Sequence, residues 1–478
     1  MATWRTLGLC VALGGAVALW RLVPPPASAA DEEVIEPEPD PMAVYRGRGK
    51  PPGWDEKIAE VNELIGGDAV AWERYVTLVE CLDECHLYDD LLWKADHPTS
   101  LLPGGAMHEL AIDFTKLHDD TVAELIRVIR STPLAPVISP DEFNDRVPTI
   151  ESGDLVWYIR RESRISRLSF IDRLFRQLAW VRVAQQRPLD ATRCLMARFT
   201  LAERYMTGPT LTSATIGAWD IIRTLDELAT ICGLAPGVLG EEELMSLQFR
   251  VYELDPLVHF QRALHWNDGA VLYMLRTADH IHGTDASALT ELHGETMAYG
   301  TRESHAPAHS LVTNLAIEHL HLPYVETFDV ENMQWRMDEI AEASASVAAV
   351  ICKRKHAAGL AWSAENHRRG AIVGIAAERF RLLKGRHPVD QSELVSAGFL
   401  EFEIPGVFGY ELVIAPHGVG VMVYDIGPDE IDHGGRDLVQ SDAMVNWYCG
   451  RGDMPQGDAL LWSSCASWQL HERAWSGM

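Results

Sequence analysis

From Trp54 to Gly359 apolar residues recur at three- and four-residue spacing. That is the period of a helix with one buried face. Ile171, Leu174, Phe175, Leu178 and Val181 form one such stripe. Ile221, Ile222, Leu225, Leu228, Ala229 and Cys232 form a second, and Gly233 follows where a C′ stop belongs. Leu244, Leu247, Val251 and Leu254 form a third, closed by Pro256. Further helices are expected over 69–95, 108–130, 190–206, 284–299 and 329–356. Alternating strand-like runs are scarce here and no repeat period is visible. Helical hairpins packed as a bundle or an irregular solenoid fit this body, 54–359.

The pattern changes at Trp362. Ile372, Ile375, Ala376, Arg379 and Leu383 fall on one helical side, with the arginine placed to snorkel. Gly385 is a C′ glycine and Pro388 follows it. A short helix, 390–397, precedes two strand-like runs, Tyr410 to Ile414 and Val419 to Tyr424. Pro416, His417 and Gly418 suit the hairpin connection between them. The expected fold class is therefore mainly α with a small C-terminal α+β module. The module is placed at 360–437 and a tryptophan-rich tail at 438–478. A chain of 478 residues exceeds one ordinary core, in keeping with such a division.

The N-terminus reads as a targeting segment over 1–30. Arg5 precedes an uncharged run from Thr6 to Trp20, which Pro24, Pro25 and Pro26 break. Ala27, Ser28, Ala29 and Ala30 then offer a small-residue cleavage site. The alternative is an uncleaved anchor with Trp4 and Trp20 at the two membrane interfaces. Either way the chain is expected outside the cytoplasm, in the periplasm or at the outer face of the membrane. Residues 31–53 are a linker whose first ten, D-E-E-V-I-E-P-E-P-D, hold acids and prolines and no base. Like charge and proline keep such a segment extended.

The formal charge is −28. A surface so acidic repels a phosphate backbone, which excludes nucleic acid as a partner; protein partners in the envelope and cationic ligands fit it. Against the average, Arg160, Arg161, Arg164, Arg167, Arg173, Arg176, Arg182, Arg187 and Arg193 crowd one stretch. Two readings stand: a basic face for an acidic partner or lipid headgroup, or pairing with acids elsewhere in the chain. The eight cysteines are scattered without paired Cys-x-x-Cys knuckles. Cys449 and Cys465 are the expected bridge, because both lie in the irregular tail.

No G-x-S-x-G, P-loop, G-x-G-x-x-G or H-E-x-x-H is present. Nine of the 19 histidines lie between His259 and His321. His305 and His309 are four apart, on one face if helical, as ligands for a transition metal require. His280, His282, His319 and His321 flank them, although His-x-His spacing suits a strand better than a helix. A metal-dependent enzyme using segment 259–321 is the alternative function on these residues; surface or core histidines are the plainer account. Cys81, Cys85 and His86, with His97, His108 and His118 after them, are a second cluster of metal-ligating types. A buried cysteine acting as a small hydrophobe explains it as well. Arg451-Gly452-Asp453 spells an adhesion tripeptide, a match that short chains of residues produce by chance.

The C-terminal run E-R-F-R-L-L-K-G-R-H-P-V-D-Q-S-E-L-V, the hairpin after it and V-Y-D-I-G-P-D-E-I-D-H-G-G form one pattern. Its matching residues are Arg379, Phe380, Gly385, Pro388, Leu394, Tyr410, Tyr424, Gly427, Asp429, Asp432, Gly434 and Gly435. This pattern resembles the C-terminal part of the type II secretion pseudopilins. It is also similar to a module ending many uncharacterised exported bacterial proteins with helical bodies. Pseudopilins attach the module directly to a pilus helix, and here the helical body intervenes, so a pilus subunit is not expected. The resemblance implies a loop able to take calcium, with Asp425, Asp429 and Asp432 as ligands. Hard oxygen ligands on a flexible loop are what calcium selects. A solvated acidic turn with glycines at positive φ accounts for the same residues. The expected function is a non-enzymatic interaction or structural role in the cell envelope.

Overall fold

The computed structural model describes residues 69–83, 100–131, 171–206, 211–261, 263–264, 345–417, 420–427, 431–435, 438–439 and 457–465. Helix α1 is Ala69–Asp83 and α2 is His108–Ser131. Helix α3 covers 171–184. Helices α4, Pro188–Met206, α5, Leu211–Leu234, and α6, Glu241–Glu253, follow. A further helix, α7, starts at 256. Helix α8 is Ala345–Lys384 and α9 is Gln391–Ser396. The strands are β1, Val413–His417, β2, Gly420–Asp425, β3, Leu438–Val439, and β4, Asp458–Ser463. The described chain is thus mainly helical with a small C-terminal sheet, as the residue pattern predicts.

The three apolar stripes form the core. Every residue of the α3, α5 and α6 stripes is buried, including Cys232 and Leu254. Two predicted stops act differently. Gly233 lies inside α5, which runs on to Leu234. A Cβ at Gly233 would stand 2.8 Å from the Ser464 carbonyl carbon, so glycine is there for close packing rather than termination. Pro256 opens α7 instead of merely closing α6: Asp255 Oδ1 accepts from Val258 N at 3.0 Å, and proline suits a first turn whose amide has no helical partner.

Helix α8 has 40 residues and crosses residues 359 and 360, where the sequence pattern changes. From 359 to 378 nearly all its residues are buried whichever way they face. A helix covered on all sides shows no single apolar stripe. It lies against α5 and α6 on one side and β2 and β4 on another. Ile372, Ile375 and Ala376 are buried as expected, whereas Leu383 is 60% exposed in a last turn beyond the core. Arg379 does not snorkel. Its Nη1 donates to Gln248 Oε1 at 2.6 Å, its Nε to Glu241 Oε1 at 3.1 Å, and its guanidinium stands over Phe399. Among the described residues, no helix is long and apolar enough to cross a membrane.

The sheet has the order β1-β2-β4-β3. Strands β1, β2 and β4 are antiparallel neighbours, and the two-residue β3 runs parallel to β4. Strand β1 sits later than predicted: Pro416 pairs with Val421 and His417 with Gly420. An edge strand accommodates proline, because its missing amide faces no neighbour. Strand β4 comes from the segment read as an irregular tail. Leu461 and Trp462 on it press against α8 at Gly370 and Gly374.

Helix α9 is short and held by side chains. Asp390 Oδ1 accepts from Glu393 N at 2.8 Å, and Glu393 Oε2 accepts from Val389 N at 2.8 Å. The fully buried Gln391 donates to the carbonyls of Ile404 and Leu412 at 3.1 and 3.0 Å. It thereby ties the helix to the start of the sheet. Asp390→Ala removes the N-cap and is expected to lower stability by about 1 kcal/mol in urea unfolding; an unchanged midpoint would show that the cap does not hold this turn.

Candidate functional site

The acidic loop after β2 is anchored from both ends. At its start, Asp425 is buried at the end of β2. Asn366 Nδ2 on α8 donates to Asp425 Oδ2 at 3.2 Å, and Asn366 Oδ1 accepts from Val407 N at 3.2 Å. Burial pushes the Asp425 carboxyl up to about 6, against the hydrogen bonds from Asn366 and the Phe408 and Ile426 amides. Further on, Asp432 Oδ1 accepts from Gly434 N at 2.7 Å and from the Tyr424 hydroxyl at 3.2 Å. Asp458, buried at the start of β4, accepts from His433 N at 3.1 Å and Gly435 N at 2.7 Å. Burial raises its carboxyl, and those amides oppose the rise. Gly434 and Gly435 have φ of 66° and 68°, the left-handed turn that these bonds require.

Of the three expected calcium ligands, Asp429 lies outside the described residues. Asp425 turns to α8, while Asp432 turns to its own loop and to Tyr424, the residue before Asp425. Adjacent strand residues face opposite ways, which separates the two carboxylates' surroundings. A carboxylate bonded to amides keeps further lone pairs for a hard cation. Asp458, on β4, is the residue holding this loop that the sequence pattern does not single out. Its signal is slight, an aspartate opening the apolar run D-A-L-L-W-S. Among the described residues no three His, Cys, Asp or Glu side chains gather as a metal site.

His305, His309, His280, His282, His319 and His321 lie outside the described residues. His259, the first of the nine clustered histidines, is in α7. Its Nε2 is 3.2 Å from Glu203 Oε1, and Arg250 Nη2 donates to Glu203 Oε2 at 2.6 Å. Burial alone would raise the Glu203 carboxyl; hydrogen bonds from His259 and Arg250 bring it down to about 2. The buried His259 Nδ1 has no hydrogen-bond partner among the described residues.

The second cluster of metal-ligating types is spread out where it is described. Cys81 is exposed on α1. His108 Nδ1 lies 2.8 Å from the Leu101 carbonyl, and His118 packs on Phe114 with ring centroids 4.8 Å apart. Burial lowers the His118 pKa. Cys85, His86 and His97 lie outside the described residues, as do Cys449, the Arg451-Gly452-Asp453 tripeptide and Arg160, Arg161, Arg164 and Arg167. Cys465 is buried, and burial pushes its thiol up.

Four of the five described arginines of the basic stretch meet acids of the same chain. Arg176 pairs with Glu227 at 2.7 Å. Arg182, itself buried, pairs with Asp119 on α2. Arg187 reaches Asp119 at 3.4 Å and Asp190 at 2.7 Å, and Arg193 reaches Asp190 at 3.0 Å. Internal pairing therefore accounts for these four, and a free basic face does not. No family model matches the chain, and no curated protein or solved structure does either.

Proposed function

We propose that this chain is an exported, non-enzymatic protein of the cell envelope with an interaction or structural role. The leader over 1–30 delivers it, and 31–53 tethers it if the leader stays in place. The observation that carries the reading is the use of polar groups in the C-terminal unit. Asp390, Gln391, Asp432 and Asp458 all bond to main-chain amides or carbonyls, and Asp425 bonds to Asn366. Side chains used this way fasten turns and strands. The pseudopilin-like pattern belongs with this reading, and calcium held by Asp429 and Asp432 would brace the loop further.

The test has two arms. Residues 1–53 fused to a phosphatase reporter that folds only outside the cytoplasm should give active reporter; an inactive, stable fusion would sink the export proposal. Calcium at about ten times its dissociation constant should stabilise the full chain by about 1.4 kcal/mol. Asp429→Ala with Asp432→Ala should abolish that gain. No calcium-dependent shift in the unfolding midpoint would remove the brace.

A metal-dependent enzyme using segment 259–321 is the second reading, and the Glu203–His259 contact is what favours it. A carboxylate bonded to one ring nitrogen is the usual support of a metal-bound imidazole. Elemental analysis of protein purified without chelator decides the matter. This reading needs a stoichiometric transition metal that His305→Ala with His309→Ala removes.

A further inference from the structure

A polar cluster lies inside the helical body where α1, α3, α4 and α5 meet. Arg198 on α4 is at its centre and 1% exposed. Its Nε donates to Asp172 Oδ1 on α3 at 2.7 Å and its Nη2 to Asp172 Oδ2 at 3.2 Å. On α5, Glu227 accepts from Arg176 Nε at 2.7 Å and from Trp180 Nε1. These groups balance: Arg198 answers Asp172, and Arg176 answers Glu227. Asp220 on α5 is the surplus carboxyl, buried at 4% exposure. Its one ion-pair partner among the described residues is Arg223, at 3.6 Å and with a side chain 65% exposed. Asp220 Oδ2 and Arg198 Nη1 are both buried without a hydrogen-bond partner among the described residues.

The groups acting on Asp220 come from several elements. Asp172 on α3 repels a second negative charge, and Arg198 on α4 and Arg223 on α5 itself attract it. Tyr205 on α4 and Tyr75 on α1 are buried phenols of the same cluster, both pushed up by burial. Helix α8, on the other side of α5, presents Glu378 and Arg381 near Cys232.

We propose that Asp220 is a proton-loaded latch: its carboxyl holds a proton in the packed protein, and loss of that proton loosens α5 from α3 and α4. Two ionised carboxylates sharing one buried guanidinium leave an uncompensated charge in the core, which the fold resists. Burial and Asp172 push the Asp220 carboxyl up to about 8 from the ordinary 3.8. A raised folded-state pKa means that the folded chain binds the extra proton. The stabilising contribution is full below the unfolded pKa, falls as pH rises, and is gone once pH has passed the folded value. The device would therefore set the grip of α5, and with it the support under α8 and β4, by pH.

The experiment compares the full chain with Asp220→Asn between pH 5 and pH 9 (the amide keeps the shape and cannot ionise). Relative to the variant, the unfolding equilibrium constant of the parent should rise about tenfold per pH unit up to about pH 8 and then level off. Hydrogen exchange over 211–234, corrected for intrinsic rates, should show protection lost with rising pH in the parent alone. Parallel pH profiles in the two proteins overturn the proposal. If the variant fails to fold, infrared spectra of the parent decide: a carboxylic-acid C=O band that disappears between pH 7 and pH 9 is expected, and no such band at pH 7 overturns the latch.

Discussion

Gly374→Ala is expected to destabilise the folded chain by about 3 kcal/mol. In an isolated helix the same change would help, by up to about 1 kcal/mol, because alanine is the better helix former. The sign reverses here because β4 lies directly on α8. A Cβ at Gly374 would stand 2.6 Å from Trp462 Cδ1, and one at Gly370 would stand 3.0 Å from Leu461 Cδ1. Trp462 is 1% exposed and β4 is an inner strand, so neither can yield without moving the sheet. The decisive measurement is a double-mutant cycle in urea. Trp462→Ala alone should cost about 3–5 kcal/mol. In that background Gly374→Ala should cost nothing or stabilise slightly, since the ring it strikes has gone. Equal costs in both backgrounds would sink this account of the glycine pair.

The same contact marks the limit of what the residues disclose by themselves. The α3, α5 and α6 stripes are legible because helical period is local: each residue's neighbour is three or four positions away. Gly370 and Gly374 are not legible, because the reason for them lies on a strand some ninety residues later in the chain. Read locally, they weaken a helix. Strand β4 itself is a continuous apolar run, D-A-L-L-W-S, which periodicity cannot assign to strand or helix. That Arg182 can pair with an acid elsewhere in the chain is legible, but its partner is not, because Asp119 lies 63 positions earlier. The acidic loop was visible as a loop, and its positive-φ glycines with it. From the residues alone Asp425 reads as one more oxygen of that loop, whereas its position at the end of a strand covered by α8 makes it a buried anchor. Asp458 was invisible, since nothing local distinguishes an aspartate that holds a turn from one that meets water.

Arg198 carries the second large expected effect. Arg198→Ala should cost about 3–5 kcal/mol, because it strands the Asp172 carboxylate in the core. Size alone predicts part of this loss, so the charge contribution needs separating. Arg198→Met keeps most of the side-chain volume and should still be strongly destabilising while Asp172 remains. Arg198→Met with Asp172→Leu removes both charges at once. That pair should recover most of the loss, since well-packed apolar replacements of a buried ion pair are often neutral or stabilising. Urea unfolding at pH 6 measures all three variants under one condition. Failure of the double variant to recover would mean that Arg198 is needed for something beyond Asp172. The neighbouring Glu227, whose charge also acts on the guanidinium, would then be the group to replace next. Recovery would show instead that the pair contributes little net stability. Its place in the core would then rest on positioning α3 against α4, with Asp220 left as the one carboxyl of the cluster whose charge the fold does not answer from within.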